Sequence, residues 1–424
     1  MMTTAAVVAV GSELLTPHKT DTNSLFIADG LATIGVRLLQ KMVVGDEPEG
    51  LTEALRYATR LADLVVVTGG LGPTADDLTR ETVAAHFGLP LEESAEVVEA
   101  MRARFAARGL EMPAINRRQA QVPRGATVLP NARGTAPGLW IAEATGRVLL
   151  LPGPPRELRP MFEQFVAHHL APEAGGRRLY RRMIRTAGRT ESHLDTIAGP
   201  IYGPWQGRPE PIETTILATL GQIDIHLSLV AEDPATGERT LDDAVAQLTA
   251  ALGRAVVSTD GRSLPAVVGG LLAERGARLA VAESCTGGLI ASRLTDVPGS
   301  SAYVQAGWVL YSNEAKVALG VDASLILEHG AVSEPVAEAM AVAARRAADV
   351  DYGLAVTGIA GPGGATRGKP IGTVCLALAG PAAPPRVRRV QVPGERERVK
   401  FQASQAALDL LRRSLLRDAP HDAA

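Results

Sequence analysis

Short unbroken runs of valine, alanine and leucine, each ending at a turn of small residues that leads into a helical pattern, constrain this chain more than anything else in it. Ala5-Ala6-Val7-Val8-Ala9-Val10-Gly11 reads as a buried strand and Asp21 through Leu31 as the helix after it. Val36-Arg37-Leu38-Leu39 opens a second strand and Leu51–Leu61 a second helix, and Asp63–Thr68 is a third strand that runs into a glycine-rich turn. A strand that is apolar at successive positions must be covered on both faces. The alternation therefore predicts a parallel sheet between helix layers over residues 5–170. Ligands of such sheets sit at the carboxyl ends of the strands.

With 424 residues the chain exceeds one ordinary core, so two or three domains are expected. The composition shifts near 172. Arg177, Arg178, Arg181, Arg182, Arg185 and Arg189 are followed by a Pro/Gly-rich loop from Gly199 to Pro211, an alternating strand over Gly221–Leu229 and a helix near Leu241–Leu252. This predicts a small α+β domain over 172–253 and a linker over 254–263. From Leu264 the βαβ rhythm returns, with helices near 264–275, 287–295, 334–348 and 395–416 and strands near 278–282, 305–310, 353–357 and 371–379. The domains are thus placed at 1–171, 172–253 and 264–418.

A net charge of -3 exerts no global pull toward nucleic acid or anionic lipid. The arginine run suggests an RNA stripe, a solvated face or a dimer contact. No two glycines between 173 and 253 stand three apart, so the Gly-x-x-Gly clamp of nucleic-acid-binding KH domains is missing and nucleic acid is not expected. Two cysteines, Cys285 and Cys375, are too few for a disulfide framework and fit a reducing compartment. The N-terminus lacks the basic region of a signal peptide, and no apolar stretch approaches the ~20 residues of a membrane span. A cytoplasmic protein without membrane contact is expected.

Three strand ends gather polar residues in the first domain. Gly11-Ser12-Glu13 closes the first strand, Asp21-Thr22-Asn23 opens a helix, and Thr68-Gly69-Gly70-Leu71-Gly72-Pro73-Thr74-Ala75-Asp76-Asp77 joins the third strand to its helix. Glu13, Asp21, Asp76 and Asp77 beside glycine amides suit a divalent metal and a phosphate. The alternative for Asp21 and Asp76 is helix capping. Asn116-Arg117-Arg118, Gly134-Thr135-Ala136-Pro137-Gly138 and Leu151-Pro152-Gly153-Pro154-Pro155 either line the same crevice, with Arg117 or Arg118 on a phosphate, or are surface turns.

In the last domain, Ala282-Glu283-Ser284-Cys285-Thr286-Gly287-Gly288 follows the strand Leu279-Ala280-Val281 and leads into a helix. Such a turn aims backbone N–H groups at one spot, which suits a phosphate or a developing oxyanion. Tyr311-Ser312-Asn313-Glu314-Ala315-Lys316 supplies a lysine at the end of another strand. A Ser–Lys pair acts as nucleophile and base when the lysine is desolvated enough to lose its proton. Ser284 has the alternative of a helix cap, Lys316 that of a surface lysine and Tyr311 that of a core residue. Cys285 is a rival nucleophile, but no histidine stands near either segment and a small packing role is preferred. Gly363–Lys369 matches the spacing of a phosphate-binding P-loop, yet Pro370 stands where the magnesium-binding hydroxyl belongs, so a lid-like loop is expected. The eight histidines carry no zinc signature.

On these motifs residues 5–170 resemble the molybdopterin-binding fold of molybdenum-cofactor biosynthesis proteins. Together with the Ala-Glu-Ser-Cys-Thr-Gly-Gly half, the whole chain resembles the competence/damage-inducible protein A (CinA) family. The resemblance implies an α/β fold class with an N-terminal molybdopterin-binding-like three-layer domain, a small KH-type α+β middle domain and a C-terminal α/β CinA deamidase domain. It implies metal-dependent ADP-ribose pyrophosphatase activity in the first domain and nicotinamide mononucleotide (NMN) deamidase activity in the last, in a homodimer. It carries Ser284, Tyr311 and Lys316 over as catalytic, with Thr357 as a helper. Deamidation adds a phosphate-bearing substrate. Cys285, the backbone of Thr286, Gly287 and Gly288, the side chains of Ser312 and Asn313, and the turn at Gly358 are its expected contacts. Arg396 either clamps the phosphate or lies on a solvated face. The first site is expected to use Gly69, Gly70, Gly72, Thr74 and Asn116 on its substrate and a divalent metal on Glu13, Asp21, Asp76 and Asp77; the last site needs no cofactor. The alternatives are a holder of a pterin-type ligand and a non-enzymatic scaffold for competence or DNA damage.

Overall fold

The computed structural model describes residues 3–143, 146–173, 175–381 and 384–417. The chain divides into two compact units. One runs up to Tyr180 and includes Leu229–Arg239; the other holds Arg181–Ser228 and the chain from Thr240 onward.

The first unit is built in chain order from β1 (Thr4–Val10), α1 (Asn23–Thr33), β2 (Arg37–Val44), α2 (Pro48–Leu61), β3 (Leu64–Thr68), α3 (Thr79–Phe87), β4 (Leu91–Glu93), α4 (Ala95–Ala106), β5 (Gln121–Pro123), β6 (Thr127–Leu129), β7 (Gly138–Glu143), β8 (Gly146–Leu151), α5 (Pro155–Phe165) and the single turn α6 (Ala171–Glu173). Its main sheet has the order β2-β1-β3-β8-β7-β6. The first four strands are parallel, as the sequence predicts. The last two run antiparallel, which it does not. Only residues 144 and 145 separate β7 from β8, and a parallel return needs a crossover of a dozen residues or more. The two-residue period of β1 sends Ala6, Val8 and Val10 into one core with Leu51 and Leu55 of α2. Ala5 and Val7 enter the other core with Ile27, Leu31 and Phe162 of α1 and α5. This makes three layers.

Next in the chain come β9 (Arg178–Ala187), α7 (Glu191–Tyr202), β10 (Glu213–Thr219), β11 (Gln222–Ala231), α8 (Pro234–Leu252) and β12 (Val256–Ser258), with the four strands in a sheet of order β10-β11-β9-β12. Then follow α9 (Leu264–Glu274), β13 (Leu279–Glu283), α10 (Leu289–Thr295), β14 (Val304–Val309), α11 (Asn313–Leu319), α12 (Ala323–His329), α13 (Glu334–Ala348), β15 (Tyr352–Gly358), β16 (Thr373–Ala379), β17 (Arg386–Gln391) and α14 (Arg396–Arg417). Their sheet has the order β14-β13-β15-β16-β17. β13 is the central parallel strand between β14 and β15.

The segment expected to be a linker is not free. β12 pairs with β9, and the buried Arg412 of α14 donates to the carbonyls of Val256 (2.7 Å) and Arg254 (2.6 Å) while Asp409 accepts from it at 2.7 Å. A guanidinium taken from water needs its donors satisfied, and the 254–256 backbone satisfies them. In the arginine run, Arg182 pairs with Asp242 and Arg185 with Asp224, so charge is answered locally. No described helix is long and apolar enough to cross a membrane.

Candidate functional sites

In the second unit the site begins with Glu283, the buried last residue of β13. Its carboxylate accepts from the backbone N–H groups of Ile290 (3.0 Å) and Ala291 (2.9 Å). Helix starts need such acceptors, and Glu283 supplies them from the strand side. The Ser284–Gly288 turn is thereby clamped between strand and helix, and Ser284 is relieved of the capping role that was its alternative. The Ser284 amide donates to Val356 O of β15 (2.9 Å), fixing the residue at the sheet's carboxyl edge.

Lys316 of α11 is 1% exposed. Its Nζ lies 3.2 Å from Ser284 Oγ, 2.8 Å from Leu310 O and 3.3 Å from Ser312 O. Burial pushes the ammonium below the ordinary lysine range, opposed by the Cys285 thiol and the Glu314 carboxylate. The same burial raises the Cys285 thiol to about 12, so it is held as a neutral thiol. A cavity of about 170 Å³ opens on Ser284, Lys316, Tyr311, Asn313, Thr357 and Arg396, with Cys285 and Gly358 in its wall. Thr357 is buried and its hydroxyl donates to Ala331 O at 2.8 Å. The amides of Thr286 and Gly288 have no acceptor among the described residues.

In the first unit, a cavity of about 510 Å³ lies at the carboxyl ends of β1 and β3. The Gly69–Pro73 turn forms part of its wall. Gly69 adopts φ 93°, and a Cβ there would fall on the Val10 carbonyl, so only glycine lets the turn lie this close to β1. Beneath the turn the buried Arg80 donates to Leu71 O at 3.3 Å. Glu13, Asp46, Asp76, Asp77 and Glu157 face the same cavity as four arginines, Arg104, Arg108, Arg133 and Arg156.

These two sites fall inside the two segments that match known families. Residues 6–172 match the model of a probable molybdopterin binding domain, and residues 261–415 that of the CinA C-terminal domain. A CinA-like protein of Solibacter usitatus is 43% identical over 412 residues, which is 97% of this chain and 98% of that protein. A putative competence-damage inducible protein of Symbiobacterium thermophilum is 44% identical over 432 residues, 97% of this chain and 99% of the relative. The chain belongs to the CinA-like family. A crystal structure of a CinA superfamily protein from Klebsiella pneumoniae is 35% identical, covering 36% of this chain and 96% of that one, with a TM-score of 0.35.

Set on this CinA-like frame, the residues predicted from sequence divide clearly. Ser284, Lys316, Tyr311, Thr357, Cys285, Asn313, Gly358 and Arg396 converge on one cavity. Tyr311 is not core. It is exposed, and its hydroxyl accepts from Arg396 Nη2 at 2.9 Å. Ser312 does not line this cavity; its hydroxyl caps α11 by accepting from Ala315 N at 3.1 Å. Thr286, Gly287 and Gly288 do not line this cavity; the Thr286 side chain is enclosed and the Gly287 amide donates to Ser284 O at 3.1 Å. Glu283 was not singled out from sequence, although its place directly before Ser284 marks it. Lys369 of the expected lid donates to His329 O at 2.7 Å.

In the first unit Gly69, Gly70, Gly72, Glu13, Asp76 and Asp77 reach the cavity, whereas Asp21, Thr74 and Asn116 do not. Asp21 accepts from Ser24 N at 3.0 Å at the start of α1, the local capping role. Thr74 spends its amide and hydroxyl on Asp77. Asn116 is buried and donates to Gln119 Oε1 at 3.0 Å. Arg117 pairs with Glu93 and Arg118 with Glu81, so neither faces the crevice. Among the described residues, no group of three or more His, Cys, Asp or Glu side chains is arranged to hold a metal ion. The four arginines were missed because they are spread over more than fifty residues of sequence, from 104 to 156, and meet only in the folded chain.

Proposed function

We propose that the second unit is an amidohydrolase that converts NMN and water to nicotinate mononucleotide and ammonia. The observation that carries this reading is the buried Lys316 amine 3.2 Å from the Ser284 hydroxyl. A neutral amine has two hydrogens and one lone pair. The Leu310 and Ser312 carbonyls take both hydrogens, which leaves the lone pair for the Ser284 O–H. Ser284 Oγ then attacks the amide carbon as its proton passes to Lys316. The tetrahedral oxyanion is met by free amides of the 284–288 turn. Lys316 returns the proton to the departing nitrogen, ammonia leaves, and an acyl-Ser284 ester remains. Water, deprotonated by Lys316, cleaves the ester and restores the serine. A cavity of about 170 Å³ is smaller than the roughly 300–1,000 Å³ of whole-ligand pockets, so it suits the carboxamide end of the substrate. Arg396, held by Tyr311 and by Gly361 O (2.7 Å), stands at its wall without a carboxylate partner among the described residues, ready for the phosphate. Full-length protein incubated with NMN is expected to release ammonia and nicotinate mononucleotide in equal amounts; no release rules the reading out.

For the first unit the reading is hydrolysis of the ADP-ribose pyrophosphate bond with a divalent cation. A magnesium-type ion needs no protein cage, because one or two carboxylates and the substrate's phosphates commonly hold it. Glu13, Asp76 and Asp77 face the cavity and are the carboxylates that would hold such an ion. Once bound, such an ion supplies polarisation of a phosphoryl oxygen and an activated water. The match to a probable molybdopterin binding domain favours a second reading, retention of a pterin-type ligand without hydrolysis. ADP-ribose with a divalent cation separates the two, because only hydrolysis yields AMP and ribose 5-phosphate.

A further inference from the structure

The second unit carries another, open cavity of about 810 Å³ that shares no lining residue with either site. It is a groove walled by the end of α11 at Leu319, by Leu325 of α12 and by one face of α13. The helical period divides α13. Val336, Ala337, Met340, Ala341 and Ala344 are buried in the core beneath it. Glu338, Val342 and Arg346, four residues apart, face the groove. Val342 is 44% exposed.

The charges on this face are unanswered within the chain. Among the described residues neither Glu338 nor Arg346 has an ion-pair partner. They stand roughly 12 Å apart along the helix axis, at 1.5 Å per residue, and do not pair with each other. The other charged side chains nearby are occupied locally: Arg345 donates to Val350 O at 3.3 Å, and Asp322 caps α12 by accepting from Ser324 N at 2.9 Å. The order acid, valine, arginine at equal spacing is complementary to itself. A two-fold axis through Val342 lays a second α13 antiparallel to the first, and each Glu338 then meets the partner subunit's Arg346. The parallel row Ala339, Ala343, Ala347 is shallow, so the Glu338-Val342-Arg346 ridge of one copy settles beside it in the other.

We propose that this groove is the contact between two copies of the chain, centred on Val342 and held in register by two Glu338–Arg346 pairs. The homodimer expected from sequence names no surface, and this assigns one. An unrelated partner has no reason to match so symmetric an order of charge, whereas a second copy matches it by construction. The valines and the flanking Leu319 and Leu325 supply the apolar centre, and the ion pairs form the polar rim. Leu319 closes α11 three residues after Lys316, so the second copy would rest on the helix that carries that amine. The contact itself is independent of the reaction proposed at Ser284.

The test is sedimentation velocity of the full-length protein over about 1–100 μM, the range in which micromolar self-association shows. The wild type should form a dimer. Glu338→Arg and Arg346→Glu should each weaken it by about tenfold or more, because the two-fold axis turns either change into two like-charge contacts. The double variant Glu338→Arg/Arg346→Glu should return the Kd to within about threefold of the wild type, a rescue expected only of side chains that face each other. Val342→Asp should be monomeric with the far-UV circular dichroism of the wild type. A wild type that stays monomeric overturns the proposal. A dimer indifferent to the single reversals or to Val342→Asp also overturns it, by placing self-association on another surface. So does a double variant that dimerises no better than the singles.

Discussion

The two cavities handle charge in opposite ways. The one around Ser284 is small, and its single lysine is almost wholly withdrawn from water and in contact with a hydroxyl. The one at the Gly69–Pro73 turn is three times larger and lined by nine ionisable side chains that solvent reaches to varying degrees. Desolvation is the agent in the first: it lowers the Lys316 pKa against the opposing pull of Cys285 and Glu314. In the second, carboxylates and guanidinium groups are set side by side, and a ligand or ion bearing both signs is what would join them. A site of the first kind carries its chemistry in its own side chains. A site of the second kind needs its ligands to complete it.

This contrast can be broken most sharply at Ser284. Ser284→Ala should take ammonia release from NMN to background, a loss on the order of 10⁴-fold or more, while ADP-ribose hydrolysis keeps its rate. Loss of both activities in a folded variant would erase the distinction. Lys316→Met, which keeps the packing volume and removes the base, should cost about 10²–10⁴-fold in kcat. Its pH dependence carries a sign. Below its depressed pKa the amine is protonated and cannot accept the serine proton, so wild-type kcat/KM should rise with pH and level off below the ordinary lysine value of 10.5. That rise should be absent from the residual activity of Lys316→Met.

Chelation sharpens the comparison from the other side. EDTA should remove ADP-ribose hydrolysis, assayed by AMP formation, and leave ammonia release within about twofold, because no step at Ser284 asks for a metal. A smaller effect is expected of Tyr311→Phe, which removes one hydrogen bond to Arg396. The KM for NMN should rise by up to about tenfold with kcat nearly constant. The smallest is expected of Cys285→Ala. A thiol raised to about 12 contributes no thiolate at neutral pH, so turnover should stay within a few-fold and iodoacetamide should inactivate the wild type only slowly.

The βα rhythm was legible because strands covered on both faces must be apolar at every position, and a run such as Ala5–Val10 advertises that. β17 was not legible. It is an edge strand, and Arg386, Arg388 and Arg389 give it the composition of a solvated segment. The β12 pairing hid for a related reason: three residues paired through backbone leave almost no periodic signal. At the Ser284 site the local motif names the turn and the candidate nucleophile. Glu283, which does the capping and frees the serine, was passed over because a strand-terminal glutamate is ordinarily exposed.

The sequence by itself determined the two α/β halves, the glycine turns and the two short segments that carry Ser284 and Lys316, because each is written in contiguous residues whose physical demands are local. Tertiary structure alone decided that Lys316 loses its water, that Tyr311 turns to Arg396, and that Glu338, Val342 and Arg346 face an open groove walled by three helices. Burial and long-range hydrogen bonding depend on what the rest of the chain places around a residue, and no window of sequence contains that.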